Sequence, residues 1–114
     1  KVIEVISTST VSIDDAVPLG LILNELFTNS FKYGLMEEKE NKVSIHLIST
    51  DNEDFNKIIY KDSGPGMPKD FNINTSLSLG MILIHLLTKQ MGGKLAYYWD
   101  DGSVFEIPFK AKKG

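Results

Sequence analysis

The chain has no cysteine in its 114 residues. That excludes a disulfide framework, a thiolate nucleophile and a cysteine-ligated zinc or iron–sulfur centre. Arginine is missing as well, since all twelve basic positions are lysine. Bidentate guanidinium recognition of phosphate or guanine is therefore closed to this chain. With a formal net charge of −3, the lack of arginine argues against nucleic acid as a partner. Histidine is scarce, at His46 and His85 only, too few for a histidine-rich metal site. No apolar run reaches the roughly 18 residues needed to span a bilayer, and no basic segment followed by an apolar stretch marks a secretory signal.

What is present is material for one core. Hydrophobic residues make up 42% of the chain, and the length suits one domain, residues 1–114. The chain opens on Lys1 rather than Met, so the expectation is a piece of a larger protein.

The pattern along the chain alternates strand and helix signals. Residues 2–7 (VIEVIS) are rich in β-formers. Asp14, Asp15 and Pro18 form a helix-start signal, with Pro18 expected near the first turn. Apolar residues then recur at 19, 22, 23, 26, 27 and 31, a helical period that Gly34 stops. Residues 37–42 read as a charged loop. Val43, Ile45 and Leu47 alternate with polar residues as in a half-buried strand. Residues 51–56 read as a turn and 57–60 as a second strand, which completes a hairpin. DSGPGMP (62–68) ends that strand, and 69–78 is polar and without a period. A second helical pattern runs from Leu79 to Met91 and closes at Gly92-Gly93. KLAYYW (94–99), a turn at 100–103 and VFEIPF (104–109) make a second hairpin, followed by a basic tail. The order β-α-ββ-α-ββ implies an α+β fold: a two-layer α/β sandwich with a mixed, mostly antiparallel sheet and both helices on one face.

Three segments carry chemistry. On the first helix, Glu25, Asn29 and Lys32 stand at i, i+4 and i+7 and share a stripe. A carboxylate, an amide oxygen and an ammonium in line can hold a divalent cation and a phosphate chain. On spacing alone the same stripe reads more simply as a solvated helix face, although two asparagines and a threonine are poor helix formers for that purpose. In DSGPGMP, Asp62 stands where a strand runs out, and a carboxylate there can accept a hydrogen bond from the amine of a base. Gly64 and Gly66 let the backbone approach a flat ring, yet the same residues are also good turn formers. In SLSLGMIL (76–83), Ser78 and Gly80 open a helix whose N–H groups and dipole suit phosphate; a plain serine cap is the simpler alternative.

The order of the three segments is more specific than any one of them. PLGLILNELFTNSFKYG (18–34), DSGPGMP (62–68) and SLGMILIHLLTKQMGG (78–93) resemble the N, G1 and G2 boxes of the ATP-binding catalytic domain of sensor histidine kinases, in the gyrase/Hsp90/histidine kinase/MutL (GHKL) superfamily with the Bergerat ATP-binding fold. The resemblance runs from about residue 14 to the end. It implies ATP and Mg²⁺ as cofactors. It places Asn29 at the metal, Glu25 as the catalytic acidic residue, Lys32 at the phosphates and Tyr33 beside the purine or ribose. Asp62 would meet the adenine amine, with Gly64, Gly66 and Met67 forming the G1 part of the nucleotide site. Ser78, Leu79 and Gly80 would end a short lid, their N–H groups toward the phosphates. The G2 segment departs from the family pattern: only Gly80 remains of several glycines.

The resemblance also implies partners. A histidine kinase phosphorylates a histidine on a helical dimerisation domain N-terminal to the catalytic one and feeds a response regulator. His46 and His85 read as structural, so the acceptor is expected outside this chain. The isolated domain is expected to be a monomer and cytoplasmic. Two alternatives stand beside this reading: a free-standing GHKL ATPase or serine kinase, and a degenerate nucleotide-binding domain used for docking.

Overall fold

The computed structural model describes residues 2–7, 11–30, 42–50, 54–63 and 78–110. In chain order its elements are β1 (Val2–Ser7), α1 (Ile13–Asn29), β2 (Lys42–Ser49), β3 (Phe55–Asp62), α2 (Leu79–Gln90), β4 (Ala96–Trp99) and β5 (Ser103–Lys110). The strands form one sheet in the order β1-β2-β3-β5-β4. Among the described strands only the β1–β2 pair is parallel, with α1 between them in the chain as part of the crossover that a parallel pair needs; the other three pairs are antiparallel. The expected mixed, mostly antiparallel α+β sandwich is the fold observed.

One face of the sheet is apolar. Ile45 pairs with Tyr60 and Tyr60 with Phe105, so these side chains share a face across three strands. Ile58, Ile107 and Phe109 continue it, and Leu19, Ile22 and Leu26 of α1 and Met81 and Ile84 of α2 close it into one core. Tyr60 makes edge contacts with Phe27 of α1 at 5.7 Å and with Phe105 at 6.4 Å, which ties the helix to the sheet centre. On the opposite face Glu106 accepts hydrogen bonds from Lys57 at 2.8 Å and from Tyr98.

Helix α1 begins earlier than its apolar period suggests. Ser12 is the N-cap residue, and its hydroxyl donates to the buried Asp15 carboxylate at 3.2 Å. An acid in the first turn also suits the positive end of the helix. Pro18, expected near the first turn, lies inside the helix. Its missing N–H deprives Asp14 of one helical partner, and Asp14 is exposed to water. Strand β3 starts at Phe55, two residues earlier than expected, and residues 51–53 of the expected turn lie outside the described residues. Strand β4 starts at Ala96 rather than Lys94.

Candidate functional site

The site is built where α1 ends above the end of β3. The alternation of β3 puts Ile58, Tyr60 and Asp62 on the helix side of the sheet. Asp62 is therefore a carboxylate at the rim of the core, and only 3% of it is exposed. Such a burial is costly without hydrogen-bond donors. One comes from Ser30, the C-cap residue of α1, whose backbone N–H still bonds to Leu26 and Phe27 carbonyls. The Ser30 hydroxyl donates to Asp62 Oδ2 at 2.9 Å and lies 2.6 Å from the Tyr60 hydroxyl. A hydroxyl has one proton. Since that of Ser30 goes to Asp62, Tyr60 donates to Ser30. Burial pushes the Tyr60 phenol up to about 12, with the nearby Asp62 charge acting in the same direction, so its proton stays in place.

The next residue back, Asn29, is half-buried and faces α2. Its Nδ2 donates to Met81 Sδ at 3.6 Å. One turn earlier Glu25 reaches the start of α2: a Cβ placed on Gly80 would stand 2.6 Å from Glu25 Oε2. This supplies a reason for Gly80 in the first turn of a helix, where glycine is otherwise unfavourable. Ser78 caps the same turn, its hydroxyl accepting from the Met81 N–H at 3.3 Å. Leu79 is 82% exposed, so its side chain does not contribute to the core.

Of the residues singled out from the sequence, Glu25, Asn29, Ser78, Leu79 and Gly80 are thus gathered around the α1–α2 contact. Asp62 joins them through Ser30. Lys32, Tyr33, Gly64, Gly66 and Met67 lie outside the described residues, as does the expected lid. His46 stands on the outer face of the sheet, 3.7 Å from Glu4 Oε1, and His85 is half-buried in α2. Ser30, Tyr60 and Met81 were not singled out. Ser30 and Tyr60 had a signal: one adjoins Asn29 and the other precedes Asp62 by one strand period.

Across residues 14–113 the chain matches the family model of histidine kinase-, DNA gyrase B- and HSP90-like ATPases. The chain belongs to this family. No curated protein matches it in sequence. In structure this ATPase-family domain is similar to the histidine kinase domain of the blue-light activated histidine kinase from Erythrobacter litoralis EL346, with a TM-score of 0.79 and 20% identity over 95% of this chain and 54% of that one. It is similar to histidine kinase AdeS from Acinetobacter baumannii, at 0.75 and 22%, over 96% and 53%. It is also similar to the mycobacterial sensor histidine kinase MprB, at 0.73 and 20%, over 96% and 81%. The shared fold is that of histidine kinase catalytic domains. The ATPase-family domain spans about half the length of the first two proteins. Among its described residues, no helix is long and apolar enough to cross a membrane, and no three His, Cys, Asp or Glu side chains form a group fit to hold a metal ion.

Proposed function

We propose that this domain binds Mg²⁺-ATP and donates the γ-phosphoryl group to a histidine on a separate helical dimerisation domain, as the catalytic part of a sensor histidine kinase in two-component signalling. The observation that carries the reading is the seat of Asp62, a carboxylate buried at the end of β3 below the helix that bears Glu25 and Asn29. A buried acceptor there suits the exocyclic amine of adenine. Gly64, Gly66 and Met67 would flank the base and Tyr33 the purine or ribose. Lys32 and the first N–H groups of α2, at Leu79 and Gly80, would meet the phosphates, because a helix leaves those groups without intrahelical partners.

The donor set fits Mg²⁺. The amide nitrogen of Asn29 is turned to the Met81 sulfur, so its oxygen is the end left to face a hard cation. Mg²⁺ keeps several waters and takes other ligands from phosphates, and it does not require an all-protein cage. When bound, the ion would neutralise charge on the β- and γ-phosphates. Asn29 would hold it, and Glu25 would take the proton of the attacking imidazole as the phosphorus–nitrogen bond forms and the bond to ADP breaks. The rest is positioning.

In this reading the chain is one domain of a longer, cytoplasmically facing kinase, with its phosphoacceptor domain on the N-terminal side and a response regulator downstream. The isolated domain would be a monomer. The test uses the full-length protein and ATP labelled on the γ-phosphate. The expected product is a base-stable, acid-labile phosphohistidine. Asn29→Ala and Asp62→Ala are each expected to weaken Mg-ATP binding at least about tenfold in calorimetry, the scale of one lost charged hydrogen bond or ligand. Unchanged affinity in both would remove the site assignment, and an acid-stable phosphoserine would favour the serine-kinase alternative.

A further inference from the structure

We infer that Ser30 is a positioning residue for base recognition: its hydroxyl, fed by Tyr60, holds the Asp62 carboxylate in the orientation in which it accepts the amine of adenine. The inference rests on the nucleotide reading of Asp62 and adds to it a residue and a direction. Three groups stand in series, Tyr60 Oη, Ser30 Oγ and Asp62 Oδ2, with separations of 2.6 and 2.9 Å. All three residues are buried, Tyr60 fully and the other two to within a few per cent. The polarity of the series has one solution. Ser30 donates to Asp62 Oδ2, which uses its one proton, so the Tyr60 proton points to Ser30.

Two consequences follow for the base. First, a carboxylate rotates about its last bond unless something fixes it. Ser30 fixes Oδ2 from the α1 side, and Ser30 is itself fixed as the helix C-cap. The orientation of the acceptor is thus set before a ligand arrives, which lowers the ordering cost of binding. Second, a donor already placed on Oδ2 keeps Asp62 in the role of acceptor. A base with an amine at this position is matched, and a base with a carbonyl oxygen there faces an acceptor. Alanine at position 30 would keep the helix and lose both effects, because among the described residues the serine side chain bonds only to Asp62 and Tyr60.

The experiment compares ATP with purine riboside 5′-triphosphate, which lacks the 6-amino group, by calorimetry on the full chain and on Ser30→Ala and Ser30→Thr. The wild type is expected to bind ATP at least about tenfold more tightly than the analogue. Ser30→Ala is expected to lose most of that ratio by weakening ATP alone, with the affinity for the analogue changed less than about twofold. Ser30→Thr keeps a hydroxyl and is expected to keep the ratio. If Ser30→Ala weakens both ligands equally, or leaves the ratio intact, Ser30 does not position the acceptor. Should Ser30→Ala not fold, loss of the ratio in Ser30→Thr would equally overturn the inference, because the hydroxyl is retained there. A wild type that does not distinguish the two ligands would overturn the reading of Asp62 itself, so the two failures are told apart.

Discussion

Gly102, in the turn between β4 and β5, lies directly against the backbone of Asp62. A Cβ on Gly102 would stand 2.2 Å from the Asp62 carbonyl oxygen, and Gly102 has φ +147°. The hairpin turn and the candidate base-binding carboxylate are therefore in backbone contact, although forty residues separate them. Both the backbone angle and the space at position 102 demand glycine.

Replacing that glycine is expected to disturb stability and site together. Gly102→Ala must relieve an overlap with backbone, which cannot swing aside, and adopt a strained φ. The expected cost is about 3 kcal/mol, read as a lower denaturant midpoint. At a temperature where the variant is still folded, its ATP affinity is expected to fall because Asp62 is displaced. A variant that loses stability but binds ATP as before would show that the turn and the carboxylate are independent.

Gly80 makes a different kind of contact, and its replacement is expected to behave differently. The atom in the way is Glu25 Oε2, the far end of a flexible side chain. Gly80→Ala is therefore expected to move Glu25 and leave stability within about 1 kcal/mol of wild type, since alanine in a helix regains up to that amount. In a Glu25→Ala background the same replacement meets no obstruction and is expected to be clearly stabilising. Denaturant unfolding of the four proteins checks this. Equal effects of Gly80→Ala in both backgrounds would show that the two residues do not interact.

Two tyrosines are expected to ionise late. Burial pushes Tyr60 up to about 12, and the hydrogen bond to Glu106 pushes Tyr98 up to about 12. In the unfolded chain both would titrate near 10. A group whose folded pKa is raised favours the folded state fully below its unfolded pKa, and that contribution is lost as pH rises through its folded pKa. Stability is therefore expected to fall between about pH 10 and about pH 12. Tyr60→Phe should make the fall shallower. Tyrosinate absorbance during an alkaline titration, alongside unfolding curves, reads both. A native protein whose tyrosines all titrate near 10 would contradict the burial and bonding of these two side chains.

How much of this was legible beforehand varies with the range of the physics involved. The two helices and the paired strands follow from hydrophobic period, which is local. Their ends were less legible. Helix α1 starts at Ile13 because Ser12 and Asp15 form a hydrogen-bonded first turn, while its apolar period only becomes regular at Leu19. Strand β3 extends back to Phe55 because Phe55 and Asn56 find partners on β5 and β2; a polar composition hides such pairing. At the site, Glu25 and Asn29 were visible as a polar stripe and Asp62 as a carboxylate at a strand end. Ser30 was not, because its neighbour in sequence, Asn29, points to α2 while Ser30 points to the sheet.

By itself the sequence determined the kinds of element, their order and the family, because hydrophobic period and turn residues act over a few positions and the three motifs are contiguous stretches. With no arginine in the chain, the proposed phosphate contacts would fall to lysine, backbone N–H groups and a metal ion. Only the tertiary structure decided which residues meet. Asp62 reaches Ser30 over a separation of 32 residues and Asn29 reaches Met81 over 52. Contacts of that span depend on how the helices lie on the sheet, and that arrangement comes from burying one shared core.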